Sequence, residues 1–568
     1  MRILFLTHAF NSLTQRLFVE LRGRGHEVAV EFDINDAVSI EAVALCRPDL
    51  IIAPFLKRAI PEVIWRHHIC LVVHPGIRGD RGPSALDWAI LNRERHWGVT
   101  VLQANAEMDA GDIWASAEFP MREAAKASLY RNEVTEAAVE AVLLALEHFA
   151  TGDYRPQPLE ESDPDLLGRQ RPLMRQPERR IDWRRDDSET VLRKIRCADG
   201  FPGVKDELFG RVCFLYDARA ECQLEGEPGA LIARCGPAVC RATVDGAVWI
   251  GHLREPDGEH PFKLPATQLL AGEIDHLPEI VPDRHTGYRE IGYREYDEVG
   301  YLYFDFYNGA MGSEQCEALL AAYREAKRRD TRAIVLMGGA DYWCNGMHLN
   351  RIEAADSAAD ESWRNINAID DLAREIITTD NHLTIAALRG NAGAGGVFLA
   401  RAADEVWMRR GVILNPHYKD MGNLFGSEYW TYLLPRYAGE ERAARIIEHR
   451  LPMGAGEAHE LGLVERIIEG RGEDFERQVR RLAEATVRTP AFAERLQYKR
   501  VRRQADESVK ALARYREEEL EQMKRNFYGF DPSYHVARYN FVYKVPKSRT
   551  PLTIANHRWE IPAWKHVS

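Results

Sequence analysis

The segment 389–400 constrains the fold of this chain strongly, because it joins an apolar run to a cluster of glycines. Residues 383–388 are predicted to form a strand, glycines stand at 390, 393, 395 and 396, and an apolar helical pattern follows. Glycines at a strand-to-helix turn leave backbone N–H groups unshielded, and such groups can bind an anionic oxygen. Glycines also serve tight turns and close helix packing. This segment alone leaves both interpretations open.

A second glycine turn of the same kind precedes it. Residues 331–337 are predicted to form a strand that ends in two glycines, and Gly346 follows shortly after. Amphipathic helices are predicted at 314–327 and 362–378. Strand, glycine turn and helix therefore occur twice, so two backbone amides can converge on one point.

Length and composition indicate a multidomain globular protein. A chain of 568 residues corresponds to roughly three or four domains. The net charge of -12 argues against a nucleic-acid partner. The nine cysteines include no CxxC pair, and no HExxH spacing occurs, so we expect reduced thiols and no metal. No apolar run reaches the ~18 residues of a membrane span and no signal peptide is evident, so we expect a cytoplasmic protein without a membrane partner.

Residues 1 to about 160 alternate predicted strands and helices, which is typical of a doubly wound α/β domain with a parallel sheet. Strands are predicted at 3–6, 28–32, 50–53 and 70–73. His74 directly follows the last of these, and functional groups gather at the carboxyl ends of such strands. A capping or packing role for His74 is equally open. A glycine-rich loop and then a strand with an acidic turn follow, and a His and an Asp on neighbouring strand ends can share proton transfer.

These segments resemble the folate-dependent formyltransferases, of which methionyl-tRNA formyltransferase is a member. The resemblance rests on His-Pro-Gly at 74–76, on Arg-Gly-Pro-Ser-Ala-Leu-Asp-Trp-Ala-Ile at 81–90, on Gly-Val-Thr-Val at 98–101 and on Met-Asp-Ala-Gly-Asp at 108–112. It implies N10-formyl-tetrahydrofolate as formyl donor and catalytic roles for His74 and Asp109. The Asn of the family's Asn-x-His motif falls on Val72, so Gln103 or Asn105 are candidates for the missing amide.

Residues 166–280 are similar to the small β domain that follows the catalytic domain in methionyl-tRNA formyltransferases. The similarity rests on Arg-Ile-Asp-Trp at 180–183, a helix near 191–197 and Gly-Phe-Pro-Gly at 200–203. Short strands predicted at 212–215, 230–234 and 247–253 fit an open barrel. In those relatives the domain helps to hold tRNA. The acidic balance of this chain favours other roles for its basic run at 169–185, namely a solvated face, a linker or a site for a phosphorylated cofactor.

The region from about 300 resembles the crotonase (enoyl-CoA hydratase/isomerase) superfamily. Residues 343–349 resemble its Phe-x-x-Gly-x-Asp-Leu loop, and 390–399 resemble its Gly-x-x-x-Gly-Gly-Gly segment. In that superfamily two backbone N–H groups polarise an acyl-CoA carbonyl, and by motif they fall on Met347 and Gly395. Each such donor can lower the barrier by roughly 3 kcal/mol.

The two hydratase glutamates have no counterpart in this chain. The first falls on Phe398, and the second falls on His417 or Tyr418. Simple hydration is therefore not expected, and Tyr418 and Glu428 are the replacement catalytic candidates. Each also has an ordinary explanation, because a glutamate at a helix start is commonly a dipole partner and a tyrosine after proline commonly packs.

The predicted fold class is α/β, with a doubly wound formyltransferase-like domain at 1–165, a small β-barrel-like domain at 166–280, a crotonase-like α/β domain at 288–500 and a helical extension at 501–568. We expect the charged segment 499–524 to form an exposed helix and the aromatic tail from 534 to pack on the body. This order resembles the HypX (HoxX) family of hydrogenase maturation proteins, and so does the segment 10–16.

The HypX resemblance implies an enzyme that makes carbon monoxide for [NiFe]-hydrogenase. In this interpretation formyl passes from N10-formyl-tetrahydrofolate to coenzyme A, which serves both halves, and formyl-CoA is decarbonylated. The expected protein partner is the hydrogenase maturation machinery or the large-subunit precursor. Candidate contacts to the phosphates or adenine of CoA are Gln15, Arg131 and Arg549.

Two other functions remain open at the level of sequence. One is a formyltransferase that acts on an amine, with the second half as a regulatory CoA-binding module. The other is a non-enzymatic scaffold for hydrogenase assembly.

Overall fold

The structure is a computed structural model that describes residues 1–159, 166–283 and 285–559. The chain forms two compact units, the first made of residues 1–288 with the tail from 546 and the second made of residues 289–545. The predicted extension at 501–568 is thus divided, because its helices belong to the second unit and its tail to the first. No helix among the described residues is long and apolar enough to cross a membrane.

The first unit opens with the alternating strands and helices that the sequence predicts. A π-helical turn, Tyr130–Val134, lies before the last helix. The elements are β1 (Arg2–Thr7), α1 (Ser12–Gly23), β2 (Glu27–Phe32), α2 (Asp36–Cys46), β3 (Leu50–Ala53), α3 (Glu62–Trp65), β4 (Cys70–His74), α4 (Ala85–Leu91), β5 (His96–Gln103), β6 (Ile113–Pro120), α5 (Lys126–Leu129) and α6 (Thr135–Thr151).

The strands of this sheet lie in the order β2-β1-β3-β4-β5-β6. The first four pair in parallel, whereas β5 is antiparallel to both β4 and β6. The prediction of a parallel sheet is therefore wrong for β5 and β6. The connection at 104–112 is too short for the crossover that parallel neighbours need, so these strands form a hairpin.

The remainder of the first unit is an antiparallel sheet with flanking helices. Its order is β7-β8-β11-β10-β9, and β12 pairs with β11. The strands predicted at 212–215, 230–234 and 247–253 correspond to β8, β9 and β11. The elements are α7 (Gln176–Arg179), α8 (Ser188–Ala198), β7 (Val204–Leu208), β8 (Arg211–Glu221), β9 (Leu231–Cys235), β10 (Ala238–Ala242), β11 (Ala247–Arg254), β12 (Leu264–Pro265) and α9 (Ala266–Leu269).

The second unit contains two sheets surrounded by helices. Its elements are β13 (Ile291–Tyr296), β14 (Val299–Phe304), α10 (Ser313–Ala326), β15 (Ala333–Leu336), β16 (Tyr342–Cys344), α11 (Leu349–Glu353), α12 (Ala358–Ile377), β17 (Leu383–Leu388), β18 (Asn391–Gly393), α13 (Gly395–Arg401), β19 (Glu405–Arg409), β20 (Ile413–Asn415), α14 (Trp430–Ala438), α15 (Glu440–His449), β21 (Met453–Gly454), α16 (Ala455–Glu460), β22 (Arg466–Ile468), α17 (Gly472–Val487), α18 (Phe492–Val509), α19 (Leu512–Tyr528) and α20 (Ser533–Val542).

The larger sheet, ordered β13-β14-β15-β17-β19-β22, is covered on both faces. Along β15, Ile334 and Leu336 belong to one hydrophobic cluster, whereas Ala333 and Val335 belong to another. Both faces of the central strands therefore exclude water, which explains why β17 is apolar on both faces, except at Thr384, rather than alternating.

The smaller sheet, ordered β16-β18-β20-β21, brings the two glycine turns together. β16 and β18 pair in parallel, so the loops that follow them leave the same end of the sheet. Gly346 lies in the first loop, and α13 begins after the second. The sequence predicts both turns, but it does not predict the short strand β18 that aligns them.

The charged C-terminal segment forms α18 and α19 instead of one exposed helix. α19 buries a stripe of four side chains, Leu512, Glu519, Met523 and Phe527. The described tail, 546–559, packs on β2 as expected, since the Val30 N–H donates to the Ile554 carbonyl at 2.8 Å.

Candidate active sites

His74 ends β4 and is held between two carboxyl groups. The ring is buried, its Nε2 lies 3.0 Å from Asp80 Oδ1, and its Nδ1 lies 3.5 Å from Asp109 Oδ2. A methyl group on Gly76 would lie 2.3 Å from Nε2, so the ring fills the space that any larger residue there would need. Both ring nitrogens therefore have an anionic neighbour, which suits a histidine that moves protons.

Asp109 reaches His74 from the turn between β5 and β6. Its backbone is left-handed, with φ 53°, and its Oδ2 accepts the Gly82 N–H at 3.2 Å. These features aim the carboxyl group at the imidazole. The structure thus brings the two predicted residues together, and their catalytic roles stay predictions.

Asp80 contacts His74, although the sequence predicts no role for it. Its side chain is fully buried, and Oδ2 has no hydrogen-bond partner among the described residues. The Nε of Arg171, itself buried, lies 4.0 Å from that oxygen. The one signal in the sequence was an acidic residue in the glycine-rich loop that follows His74, and spacing alone does not show which way it points.

The two candidates for the missing amide at Val72 are engaged elsewhere. The Oε1 of Gln103 accepts the Trp114 Nε1–H at 3.0 Å. Asn105 is exposed, and its Oδ1 accepts the Glu107 N–H at 2.8 Å. Within the described chain, neither makes a hydrogen bond to His74 that would support the suggested role.

Gln15 and Arg131 lie on neighbouring elements of the first unit. Gln15 is in the first turns of α1, where its Nε2 donates to the Phe10 carbonyl at 2.9 Å. Arg131 is in the π-helical turn. Asn11, the N-cap of α1, contacts the hydroxyl of Tyr130 at 3.4 Å, so the start of α1 adjoins this turn.

Arg549 lies on the tail beside the end of β2. It is exposed and precedes Thr550, whose hydroxyl oxygen accepts the Phe32 N–H at 2.8 Å. Because α1 follows β1 and β2 ends beside it, all three predicted CoA contacts lie toward the carboxyl edge of the parallel strands, where ligands of such sheets bind.

The two amides predicted to polarise a carbonyl occupy adjacent loops of the second unit. Gly346 has φ 78°, and a methyl group on it would lie 3.5 Å from the nitrogen of Gly395. Among the described residues, the N–H groups of Met347 and Gly395 have no hydrogen-bond partner. Unpaired amides at a helix start can accept the oxygen of a polarised carbonyl.

The carboxyl group of Glu428 lies directly against Gly395. A methyl group on Gly395 would lie 1.9 Å from Glu428 Oε1. The hydroxyl of Tyr418 lies 2.6 Å from Glu428 Oε2, and both side chains are buried. The structure therefore brings Gly395, Tyr418 and Glu428 into one constellation.

The hydrogen bonds of Tyr418 favour a proton on Glu428. The Tyr418 hydroxyl also lies 3.0 Å from the Ser427 carbonyl, which can only accept. A tyrosine has one proton, so it either shares that proton between the two acceptors or donates to Ser427 and accepts from a protonated Glu428, and the second arrangement gives two full hydrogen bonds. In agreement, burial and then the negative charge of Asp370 raise the pKa of Glu428 to about 8.

Glu428 does not serve as an ordinary dipole partner of the following helix. α14 begins at Trp430, and both Glu428 and Tyr429 have left-handed backbones, with φ 57° and 60°. Such conformations are unfavourable for residues other than glycine and gather at functional sites. The turn therefore holds the carboxyl group toward Gly395 at a conformational cost.

Phe398 adds an apolar face to this constellation. By motif it falls on the position of the first hydratase glutamate, and its ring stacks on Tyr418 at a centroid distance of 5.4 Å. His417, the other candidate for the second glutamate position, is buried, and burial lowers its pKa. Tyr418, rather than His417, contacts Glu428.

Two further carboxyl groups, which the sequence motifs do not predict, lie near Glu428. Asp370 on α12 and Glu519 on α19 are both fully buried. Each lies on an apolar helical stripe, Asp370 between Ile366 and Ala373 and Glu519 between Leu512 and Met523. An acidic residue at such a position was a readable signal. Among the described residues, no group of His, Cys, Asp and Glu side chains could hold a metal ion.

Models of three known families match separate parts of the chain. The family described as "Formyl transferase" matches residues 2–146, and "Formyl transferase, C-terminal domain" matches residues 173–272. "Enoyl-CoA hydratase/isomerase" matches residues 307–531. The site around His74 thus lies in the first match, and the site around Gly395 lies in the third.

Two known proteins match nearly the whole chain, and a third matches less than half of it. It is 59% identical to the hydrogenase maturation factor HoxX of Bradyrhizobium diazoefficiens over 98% of this chain and 97% of that protein. The crystal structure of HypX from Aquifex aeolicus in complex with tetrahydrofolic acid has a TM-score of 0.94 and 49% identity, over 98% of this chain and 99% of that one. Methionyl-tRNA formyltransferase of Citrifermentans bemidjiense is 26% identical over 41% of this chain and 72% of that protein.

Proposed function

Because the chain belongs to the HypX/HoxX family of hydrogenase maturation factors, we propose that it synthesises carbon monoxide for the active site of a [NiFe]-hydrogenase. The proposed first reaction transfers formyl from N10-formyl-tetrahydrofolate to CoA, and the second splits formyl-CoA into CO and CoA. Tetrahydrofolic acid in the Aquifex HypX crystal and the enoyl-CoA hydratase/isomerase match support these substrates.

One observation carries the proposal, namely the Glu428 carboxyl group beside the unpaired amide of Gly395. A thioester carbonyl on the amides of Met347 and Gly395 would bring its acyl carbon next to an acid–base group. A carboxyl group with a pKa near the working pH can both take and return a proton. Decarbonylation requires both a polarised carbonyl and an acid–base group beside the acyl carbon.

The proposed formyl transfer uses the imidazole of His74. The sulfur of CoA attacks the formyl carbon, and His74 takes the thiol proton. The bond between that carbon and N10 then breaks, and His74 returns the proton to N10. Asp80 and Asp109, on opposite ring nitrogens, hold the ring in place and stabilise its protonated form.

The proposed decarbonylation uses the ionised form of Glu428 as base. It takes the formyl hydrogen as a proton while the amides of Met347 and Gly395 polarise the carbonyl. The C–S bond breaks, its electron pair leaves with sulfur, and the carbon leaves as CO. Glu428 then returns the proton to the thiolate, with Tyr418 as its hydrogen-bond partner.

The proposed reaction must exclude water, because hydrolysis of formyl-CoA gives formate instead of CO. A hydratase needs carboxylates that activate water. Here Phe398 takes one such place and stacks on Tyr418. The burial of Glu428 and the apolar ring of Phe398 beside Tyr418 support a dry reaction.

We assign the binding of CoA phosphates or adenine to Gln15, Arg131 and Arg549. The two guanidinium groups suit phosphate, and the carboxyl edge of the sheet suits a ligand of this kind. The recipient of CO would be the hydrogenase maturation machinery or the large-subunit precursor.

The test is incubation of the purified protein with N10-formyl-tetrahydrofolate carrying a labelled formyl carbon and with CoA, while haemoglobin traps CO. We expect labelled carboxyhaemoglobin that depends on both substrates. Labelled formylated amine without CO would contradict the proposal and favour an amine formyltransferase. Full hydrogenase maturation by His74→Ala combined with Glu428→Gln would favour a scaffold.

Two variants separate the proposed reactions. Glu428→Gln should keep the consumption of formyl-tetrahydrofolate by CoA but lose CO release, so formyl-CoA or its hydrolysis product formate accumulates. His74→Ala should lose both. Exposed Glu518, on α19, offers the control Glu518→Gln, which should leave both rates unchanged.

A further inference from the structure

The turn that carries Glu428 is held by two buried carboxyl groups from different helices. Asp370 Oδ1 accepts the Glu428 N–H at 2.8 Å. Glu519 Oε2 accepts the Tyr429 N–H at 3.0 Å, and its Oε1 accepts the Thr431 N–H at 2.8 Å. Backbone donors on both sides of the Glu428 side chain are thus fixed from α12 and α19, which supports the left-handed backbone of this turn.

The hydroxyl of Ser427 links these two carboxyl groups. Its Oγ lies 2.8 Å from Asp370 Oδ2 and 3.2 Å from Glu519 Oε2. A serine has one proton to donate, and two ionised carboxylates only accept. Two ionised carboxylates would therefore have to share that proton, whereas a protonated carboxyl group could donate to Ser427 and give two full hydrogen bonds.

The surrounding charges indicate which carboxyl group is ionised. The Nε of Arg516 lies 3.7 Å from Asp370 Oδ2, and its Nη1 contacts Asp371 at 2.6 Å. No ion pair to Glu519 occurs within the described residues. A buried carboxylate needs a nearby cation more than a neutral acid does, so the negative charge belongs on Asp370 and the proton on Glu519.

We propose that Asp370 and Glu519 are positioning residues for Glu428, with the negative charge of the cluster on Asp370 and a proton on Glu519. In this arrangement Glu519 holds the turn as a neutral acid. Asp370 holds the Glu428 backbone and, through its charge, shifts the Glu428 carboxyl toward its protonated form, so that the ionised fraction able to act as base rises with pH. The inference rests on the proposed function in taking Glu428 as the acid–base group.

The groups that act on Glu428 come from several elements. They are the phenol of Tyr418, the carboxyl groups of Asp370 and Glu519, the thiols of Cys316 and Cys344, and, through Asp370, Arg516. Burial raises the pKa of both thiols, so they stay neutral. Burial raises the pKa of Asp370 to about 6, with Arg516 opposing it, and that of Glu519 to about 8. These directions agree with the proton count from the hydrogen bonds.

Infrared spectroscopy of the full-length protein tests the assignment without catalysis, because buried protonated carboxyl groups give C=O bands that carboxylates lack. At pH 7 we expect Glu428→Gln and Glu519→Gln each to remove one such band, whereas the neighbouring control Glu518→Gln removes none. Retention of every band in Glu519→Gln would overturn the proton assignment.

The role of the Asp370 charge is tested by titrating the band that Glu428→Gln removes. Asp370→Asn keeps an acceptor for the Glu428 N–H and removes the charge, so the pH midpoint of the Glu428 band should fall by about one unit. An unchanged or raised midpoint would overturn the proposal. If Asp370→Asn does not fold, the bands of Glu519→Gln still decide the proton assignment.

The pH dependence of single-turnover CO release provides the catalytic readout. Its midpoint should shift down in Asp370→Asn by the same amount as the infrared midpoint. If the wild-type protein forms no CO, the proposed function fails while the infrared result still decides the charge arrangement. In a third outcome CO forms, and Asp370→Asn moves the pH midpoint of the infrared band but not the pH midpoint of CO release. That result would refute the positioning role and leave the proposed function standing.

Discussion

Replacement of Gly395 by alanine should separate the proposed decarbonylation from formyl transfer. The added methyl group would lie 1.9 Å from Glu428 Oε1 and 2.5 Å from its carboxyl carbon. An ordinary contact begins near 3.4 Å, so the carboxyl group must move by about 1.5 Å. The Glu428 backbone cannot easily follow, because its N–H is bound to buried Asp370.

The expected loss follows from this displacement. A misplacement of about 1 Å can lower a rate by about 100-fold, and the same methyl group crowds the amide that polarises the carbonyl. We therefore expect CO release to fall by at least about 100-fold, with a stability loss of about 1–3 kcal/mol from overpacking.

The assay is CO trapping under single-turnover conditions, with consumption of formyl-tetrahydrofolate measured in parallel and folding checked by thermal unfolding. Gly456→Ala is a matched control, since Gly456 lies in α16 with nothing within 4 Å of an added methyl group. A folded Gly395→Ala protein that releases CO at the wild-type rate would refute the constellation of Gly395 and Glu428.

Four further changes test other parts of the molecule. Asp80→Asn should slow formyl transfer by about 10-fold or more, because the partner 3.0 Å from His74 loses its negative charge. The exposed Asp36→Asn should not change the rate, and equal rates for the two variants would exclude a role for Asp80. Tyr418→Phe should lower CO release while formyl transfer continues. It should also lower the free energy of unfolding, measured with urea, by about 1–3 kcal/mol, because the buried Glu428 carboxyl group loses its hydrogen-bond partner. Burial favours a raised pKa for Glu31, but hydrogen bonds from His557, Thr550 and Arg558 outweigh burial and keep this pKa below 4.5. The ionised form of Glu31 therefore holds the tail. Tail docking should be stable above pH 4.5 and should weaken as the pH falls below it. Glu31→Gln should expose 546–559 to proteolysis at neutral pH, and a resistant tail would contradict this. Burial raises the pKa of Glu519 from 4.5 to about 8. Between these pH values the folded state keeps a proton that the unfolded state loses. The free energy of unfolding should therefore fall as pH rises through this range. Glu519→Gln should flatten this decline in urea titrations, whereas Glu518→Gln should retain it.

Local patterns predicted much of the fold and the positions of the main site residues. Leu383–Leu388 is apolar except at Thr384 because both faces of β17 are covered, and the glycines at 390–396 mark the turn into α13. His74 is found at the end of β4 because the strand pattern stops there. In such cases the residues that fix the structure are close together in sequence.

Contacts between distant segments were not predictable in this way. The pairing of β16 with β18 depends on two three-residue strands, which are too short to show a period. Asp80 lies against His74 because a glycine-rich loop turns inward. Glu519, on α19, accepts the Tyr429 N–H from a turn that lies 90 residues earlier in the chain. Asp370 and Glu519 were nevertheless detectable in principle, because a charge on an apolar helical stripe must find a polar partner when it is buried.

The hydrogen bonds around Glu428 relate this cluster to the proposed chemistry. A polar group in a buried site draws in water when its hydrogen bonds are not satisfied by protein. Here the Tyr418 hydroxyl binds Glu428 and the Ser427 carbonyl, and the Ser427 hydroxyl binds Asp370 and Glu519. These groups satisfy one another, and Phe398 covers the Tyr418 ring. The unpaired amides of Met347 and Gly395 are where water would still bind, and in the proposed reaction the formyl-CoA carbonyl occupies them, which favours release of CO over hydrolysis to formate.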